Sequence, residues 1–451
     1  MSLRAGVCTV DITPPLGLPH GAWQLRSGLA IGVHEPMLAK ALVLSTDAES
    51  IAVISCDLLL VGEALVANVR KRVHELTGIP ASNVLVNASH NHSAPILEDT
   101  EAASLHYGSS RFGAYTANLS DLIAGAAYGA FRRREPGRVG FGATTAAGIT
   151  VNRVWPTKRL TDRVTVIRVD ARSGRPIAVV VSFACHGTCV GGHVLEWGAD
   201  FPGTLRAEVE GAFGGECVFL QGAAGDIAPF DFWFGNRNPQ PMGFETAARL
   251  GRELAKSTLA CLDSVVTHDD VALESRSVSV ALERRRTAIE PGMLDALEAD
   301  IRAHHDPPTR AEWPLTLHTT TSAQSEPADY QLGVIAFVRD LASRAGSPVP
   351  AELQAIRVGE STLIAMPFEP FSEVASRIAA RTMGVTVLGY SNGYQGYLPT
   401  SEAARGLADL GIHELLDQDR IRWAYGITNA HMAADGADRV EDAAVALLGL
   451  L

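Results

Sequence analysis

Unbroken apolar runs of strand length alternate with amphipathic stripes along this chain. Residues 50–56 are apolar and β-branched, bounded by a turn-like Asp47-Ala48-Glu49, and read as a buried strand. Leu65, Val69, Val73 and Leu76 then recur at helical spacing, and Gly78 with Pro80 ends that helix. A second apolar run at 83–88 completes a strand–helix–strand unit, which predicts parallel strands joined by a right-handed crossover. The same reading predicts strands at 177–184, 218–220, 362–366 and 385–388, and helices at 117–131, 246–262, 371–380 and 440–448. The fold class expected is α/β: mixed, largely parallel sheets with flanking helices. Segment 287–350 breaks the pattern, with Pro291, Pro307, Pro308, Pro314 and Pro327 scattered around helical stretches. It is expected to be an insertion or lid within a single catalytic unit spanning residues 1–451.

In open α/β sheets, ligands gather beyond the carboxyl ends of the strands, and the active site is expected there. The run at 83–88 leads into His90-Asn91-His92-Ser93, and that at 177–184 into Cys185-His186-Gly187-Thr188. The remaining runs lead into Gly225-Asp226, into Pro367-Phe368-Glu369-Pro370, and into Tyr390 through Tyr397. Two histidines two residues apart face the same side of an extended segment. Imidazole serves as a metal ligand or as a proton carrier near neutral pH, so the pair suits one ligand and one acid/base group. Taken alone, it also suits two histidines on a polar loop.

Composition narrows the classes. Hydrophobic content of 47% with 20% charged residues is that of an ordinary globular enzyme. A net charge of −12 argues against a nucleic-acid surface and against an anionic membrane surface. No apolar run is long enough for membrane insertion, and the first residues lack the apolar stretch of a secretory leader, so a cytoplasmic protein is expected. The six cysteines lie mostly in apolar segments and read as reduced; Cys185 and Cys189 have no second pair to complete a zinc site. A homo-oligomer is compatible with all of this.

Taken in order, these motifs resemble the catalytic domain of the neutral (non-lysosomal) ceramidase family. The likeness begins at Gly6-Val7-Cys8-Thr9-Val10-Asp11-Ile12-Thr13-Pro14-Pro15. It continues through His90-Asn91-His92-Ser93-Ala94-Pro95, Phe183-Ala184-Cys185-His186-Gly187-Thr188, the Gly225-Asp226 loop, Met366-Pro367-Phe368-Glu369 and Asn392-Gly393-Tyr394-Gln395-Gly396-Tyr397. The resemblance implies zinc (Zn2+) ligands at His90, His186, Glu369 and Tyr397. It places His92 beside the scissile group and Arg153, of Asn152-Arg153, along the site. Two features depart from the family. Ala228 stands where ceramidases carry a serine in the Gly-Asp-Val-Ser-Pro loop, and no β-rich domain like the one that follows in ceramidases is expected within these 451 residues.

Two imidazoles, a carboxylate and a phenol form an N/O donor set suited to zinc, although other divalent ions use similar sets. The reading is a zinc-dependent hydrolase that cleaves the amide of a small or medium N-acyl substrate. His92 acts as acid/base, and Arg153 stabilises an oxyanion or clamps a substrate carboxylate. A metal-dependent esterase or lactonase, a true ceramidase, and a catalytically silent metal-binding module are the alternatives. Each residue also has a plainer role open to it: His186 as a core histidine, Glu369 at a helix start, Tyr397 as a packed aromatic. Asp226 is expected to hold its turn or support the ligands, and Asp200 to cap the helix after it. Asn152, Tyr394 and His34 complete the pocket candidates, with Asp57 and His193 behind them.

Overall fold

The computed structural model describes residues 3–18, 20–21, 29–95, 97, 113–155, 157–230, 242–287, 289–304, 327–382, 384–406, 410–417 and 424–451. Eight strands form the large sheet: β1 (Arg4–Asp11), β2 (Leu38–Ser45), β3 (Ser50–Cys56), β4 (Val84–Ala88), β5 (Glu135–Thr145), β6 (Arg163–Ala171), β7 (Pro176–Phe183) and β8 (Glu216–Gln221). Their order is β8-β7-β6-β5-β1-β2-β3-β4. A second sheet runs β9 (Leu273–Leu282), β10 (Val349–Val358), β11 (Ser361–Ala365) and β12 (Val385–Leu388).

Parallel pairing occurs where a helix crosses over. Helix α1 (Glu63–Thr77) joins β3 to β4, a helix at Phe201–Phe213 joins β7 to β8, and one at Ser372–Arg381 joins β11 to β12; each of these strand pairs is parallel. The other pairs in both sheets are antiparallel. Short turns such as 46–49 between β2 and β3 can only return the chain antiparallel. The class is mixed α/β as expected, with more antiparallel pairing than the strand–helix–strand reading alone suggests.

Alternate residues of each core strand serve opposite faces, which is why these segments read as continuous apolar runs. On β3, Ala52, Ile54 and Cys56 pack toward α1 and α2 (Gly113–Arg132), while Ile51 and Val53 join a core that reaches Ile356, Leu363 and Leu388 of the second sheet. The helix at Phe201–Phe213, α3, and α4 (Phe244–Leu262) pack on β6, β7 and β8 through Phe201, Leu205, Leu254 and Phe219. Helices α5 (Pro291–His304) and α6 (Pro327–Ser343) share a small core of their own, in which Leu294, Ile335 and Leu341 meet Ile412 and Leu415. These helices belong to the segment expected to be an insertion or lid; residues 305–326 of it lie outside the described residues. The crossover helix at Ser372–Arg381, α7, and α8 (Gly436–Leu448) cover the outer face of the second sheet through Val374, Ile378, Val440 and Ala444. Among the described residues no helix is long and apolar enough to cross a membrane.

The large sheet curls until its edge strands meet. Ser55 Oγ on β3 donates to Phe219 O on β8 at 2.5 Å, and Gln221 N on β8 donates to Asn87 Oδ1 on β4 at 2.8 Å. That closure brings the carboxyl ends of β4, β7 and β8 to one place.

Candidate metal centre

All three parallel pairs feed one cluster. His90 follows β4, His186 follows β7, Glu369 follows β11, and Tyr390, Tyr394 and Tyr397 follow β12. His90 has φ 58°, so the chain turns at this residue rather than running extended. The two imidazoles nevertheless meet: His92 Nε2 lies 3.2 Å from His90 Nε2, with the rings nearly perpendicular. The period-two argument is therefore corrected, since a left-handed turn rather than strand alternation brings them together. Short parallel bridges fix the rest, pairing Asn91 with Gly187 and Glu369 with Tyr397. Gly187 is required at the first bridge, where a Cβ would stand 2.6 Å from His90 O.

His90 Nδ1 lies 3.0 Å from Leu59 O, and His186 Nδ1 lies 2.6 Å from Ala224 O. A carbonyl only accepts, so each Nδ1 carries the proton and each Nε2 presents a lone pair. Both lone pairs point at Glu369 Oε2, at 3.4 Å from His90 and 3.2 Å from His186. Burial pushes the His186 imidazole down to about 3, with Arg153 and His90 acting in the same direction, and lowers His90 as well. Burial raises the Glu369 carboxyl, but the histidines around it and the Tyr394 hydrogen bond hold it down at about 2. The direction for this coupled group is neutral imidazoles beside an ionised carboxylate.

Three buried acceptors thus crowd together, partly met by Arg153 Nη2 at 3.1 Å from His186 Nε2 and by the Tyr390 hydroxyl at 3.3 Å from Glu369 Oε2. Such an arrangement could also hold a cation. Ligand atoms at about 2.0–2.1 Å from a tetrahedral zinc ion stand about 3.3–3.4 Å apart, which matches the spacing here. Carbonyl groups behind each Nδ1 are the usual support for metal-binding histidines. Arg153 shows the same pull on positive charge. Its Nη2 donates to Tyr397 Oη at 2.9 Å and lies 3.1 Å from His186 Nε2. Burial lowers this guanidinium, while Tyr397 and Glu369 raise it to a net upward shift, so it stays charged.

The fold has counterparts among solved structures. No protein-family model matches the chain, and no curated sequence matches it. A neutral ceramidase from Pseudomonas aeruginosa aligns over 99% of this chain and 74% of its own, with TM-score 0.70 and 17% identity. A ceramidase complexed with C2 aligns over 100% of this chain and 76% of its own, with TM-score 0.71 and 18% identity. The chain has the neutral ceramidase fold.

On that ceramidase fold, most of the residues singled out in the sequence converge. His90, His92 and His186 have ligand atoms within 4.8 Å of one another. Tyr397 stacks nearly parallel to His186, with ring centroids 6.5 Å apart. Tyr394 Oη donates to Glu369 Oε1 at 2.6 Å, which leaves Oε2 for the histidine side. Asp226 accepts from Asn152 Nδ2 at 2.7 Å and from Ser372 N and Oγ at 2.6 and 2.8 Å. It therefore ties the Asn152-Arg153 turn to the start of α7, one turn beyond Glu369. Arg153 is held there too, its Nη2 donating to Gly225 O at 2.9 Å.

Asp200 caps α3, its Oδ1 accepting from Phe201 N at 2.6 Å, the structural role foreseen for it. His34 is exposed and stacks on Phe244 with centroids 3.6 Å apart, so it sits outside the cluster. His193 is exposed as well, and Asp57 is committed to a bidentate pair with Arg206 at 2.6 and 2.7 Å.

Tyr390 was missed. It stacks on His90 at 4.2 Å, and its hydroxyl reaches Glu369 Oε2 at 3.3 Å. Burial pushes its phenol well above the ordinary value near 10, so it stays a donor. Its place directly after β12, ahead of Tyr394 and Tyr397, was the available signal.

Proposed function

We propose that this protein is a zinc-dependent hydrolase that cleaves the carbon–nitrogen bond of a small or medium N-acyl substrate. The observation that carries the reading is the crowd of three buried acceptors, His90 Nε2, His186 Nε2 and Glu369 Oε2, at 3.2–3.4 Å around Glu369. The ceramidase name of both similar structures supports an amide as the bond cleaved. His90, His186, Glu369 and Tyr397 would hold the ion. Bound there, zinc lowers the pKa of a water molecule from about 15.7 to roughly 7 and polarises a carbonyl oxygen.

The chain's own groups supply the remainder. His92 is half-buried, beside the ligands yet reachable by substrate. Its imidazole takes the proton of the attacking water and delivers it to the departing nitrogen. Arg153 keeps a charged guanidinium next to the cluster, where its N–H groups donate to the oxygen that gains charge as the carbonyl is attacked. Ala228, fully buried against Phe230, offers no hydroxyl to a substrate. With no hydroxyl at this position, an N-acyl substrate other than ceramide is favoured.

One observation favours a second ligand set. His92 Nε2 stands as close to His90 Nε2 as a ligand would, and the three histidines alone form a metal-sized group. In that arrangement His92 would bind the ion, Arg153 would keep its oxyanion role, and a carboxylate or amine borne by the substrate would carry the proton. Metal analysis of the purified protein, followed by turnover of N-acyl amino acids and N-acyl amines with and without a chelator, tests the main reading. Chelator-sensitive amide hydrolysis supports it. Faster turnover of matched esters, with none of amides, points to an esterase or lactonase, and bound metal without turnover of either points to a binding module.

A further inference from the structure

Gln221 ends β8 fully buried, and its side chain spans the two strands that carry the histidines. Nε2 donates to Ser89 O at 3.0 Å and to Cys185 O at 2.6 Å, while Oε1 accepts from Cys185 N at 3.3 Å. Ser89 and Cys185 are the residues immediately before His90 and His186. The backbone N of Gln221 donates to Asn87 Oδ1 at 2.8 Å. Asn87 in turn donates through Nδ2 to Gly389 O at 2.9 Å and Ser391 Oγ at 3.0 Å, on either side of Tyr390. Two buried amides thus join the ends of β4, β7, β8 and β12.

The topology gives that joint its importance. Strands β4 and β8 are opposite edges of the large sheet, and among the described residues no backbone ladder connects them. Next to the histidines, the Gln221 amide shares the gap with one backbone hydrogen bond from His92 N to Gly187 O, 3.0 Å, while Asn87 and Ser55 link the strands further back. The separation of His90 from His186 is therefore set by the Gln221 side chain together with the single Asn91–Gly187 bridge rather than by a continuous sheet ladder. Both N–H donors of the Gln221 amide are used, so an apolar replacement leaves the Ser89 and Cys185 carbonyls without these partners.

We infer that Gln221, braced by Asn87, is a positioning residue that sets the spacing of His90 and His186 for the metal ion. This rests on the reading of the cluster as a metal centre. The test is the affinity of the full-length protein for cobalt(II) and zinc, measured by visible absorption and chelator competition. Gln221→Met preserves volume and is expected to weaken binding about 10–100-fold and to alter the cobalt spectrum. Gln221→Glu, which keeps the shape and the acceptor for Cys185 N but loses the paired donors, provides the same readout if the first variant does not fold. Thr165→Val, which removes the buried Thr165–Thr386 hydrogen bond at 2.9 Å, is the control for a general loss of stability and is expected to bind like wild type. Wild-type affinity in a folded Gln221 variant overturns the inference while leaving the metal centre intact, as does equal weakening in Thr165→Val. A wild-type protein that takes up neither ion overturns the inference and the underlying reading together.

Discussion

Glu369 Oε2 lies 3.2 Å from His186 Nε2, and neither atom carries a hydrogen to share. The His186 proton is on Nδ1, committed to Ala224 O, and burial keeps a second proton off the ring. Two acceptors at this distance call for positive charge nearby; Arg153 supplies part of it at 3.1 Å from His186 Nε2, and the proposed ion would supply the rest. The predictions below follow from that geometry.

Removing the ion should abolish turnover, and zinc should restore it. His90→Ala and His186→Ala should each bind less than a tenth of the wild-type metal content, because each removes one imidazole from a set whose remaining members are fixed by their own hydrogen bonds. Elemental analysis of protein dialysed against a weak chelator reads this directly. Full metal content in either variant would remove that histidine from the ligand set.

His92 separates the two ligand sets. If it is the acid/base group, His92→Ala retains one equivalent of metal and loses about 10²–10⁴ in kcat. If it is a ligand, the same variant loses metal along with activity. The paired measurement of metal content and kcat distinguishes these outcomes in one preparation.

Arg153 is expected to act on the developing oxyanion. Arg153→Met should then lower kcat by about 10²–10³ with little change in KM. A rise in KM at unchanged kcat would instead assign the guanidinium to a carboxylate on the substrate. Lysine is not an adequate replacement for Arg153, which donates simultaneously to Tyr397 Oη and Gly225 O.

Acid should destabilise the metal-free protein in two stages. His186 has a folded value of about 3 against an ordinary value near 6.5, so below pH 6.5 the unfolded chain binds a proton that the folded chain refuses. Its contribution is complete above pH 6.5 and declines as pH falls toward 3. Glu369, with a folded value of about 2, contributes above its ordinary value near 4.5 and loses that contribution as pH falls toward 2. Urea midpoints of chelator-treated protein between pH 7.5 and 4 should fall in wild type and fall less steeply over pH 6.5–5 in His186→Gln, where His90 still refuses a proton that the unfolded chain binds. A wild-type midpoint independent of pH in that window would contradict the neutral, buried assignment of His186.

Much of the site was legible because its strands are buried on both faces. β4, β7 and β12 read as continuous apolar runs, and each leads straight to polar residues of the cluster. Strands β5 and β9 were not read from the pattern. Glu135–Thr145 mixes glycines with half-exposed residues, and Leu273–Leu282 is exposed along much of its length, so neither shows an apolar run. Their pairing partners are fixed by distant parts of the chain. The turn at His90 was equally hidden, since a positive φ at a non-glycine residue is imposed by the surrounding structure. Tyr390 and Gln221 escaped notice because their roles depend on what lies across the fold: a stacked imidazole for one, two backbone carbonyls for the other. His34 was overvalued on residue type alone, and its ring lies against Phe244 instead.

Anomalous diffraction at the zinc edge, from crystals of protein purified without added chelator, addresses the central claim most directly. A single strong peak within about 2.0–2.1 Å of His90 Nε2 and His186 Nε2, with Glu369 Oε2 in the same shell, is the predicted result. Well-ordered side chains at these three residues with no anomalous density between them, in zinc-supplemented crystals, would contradict it.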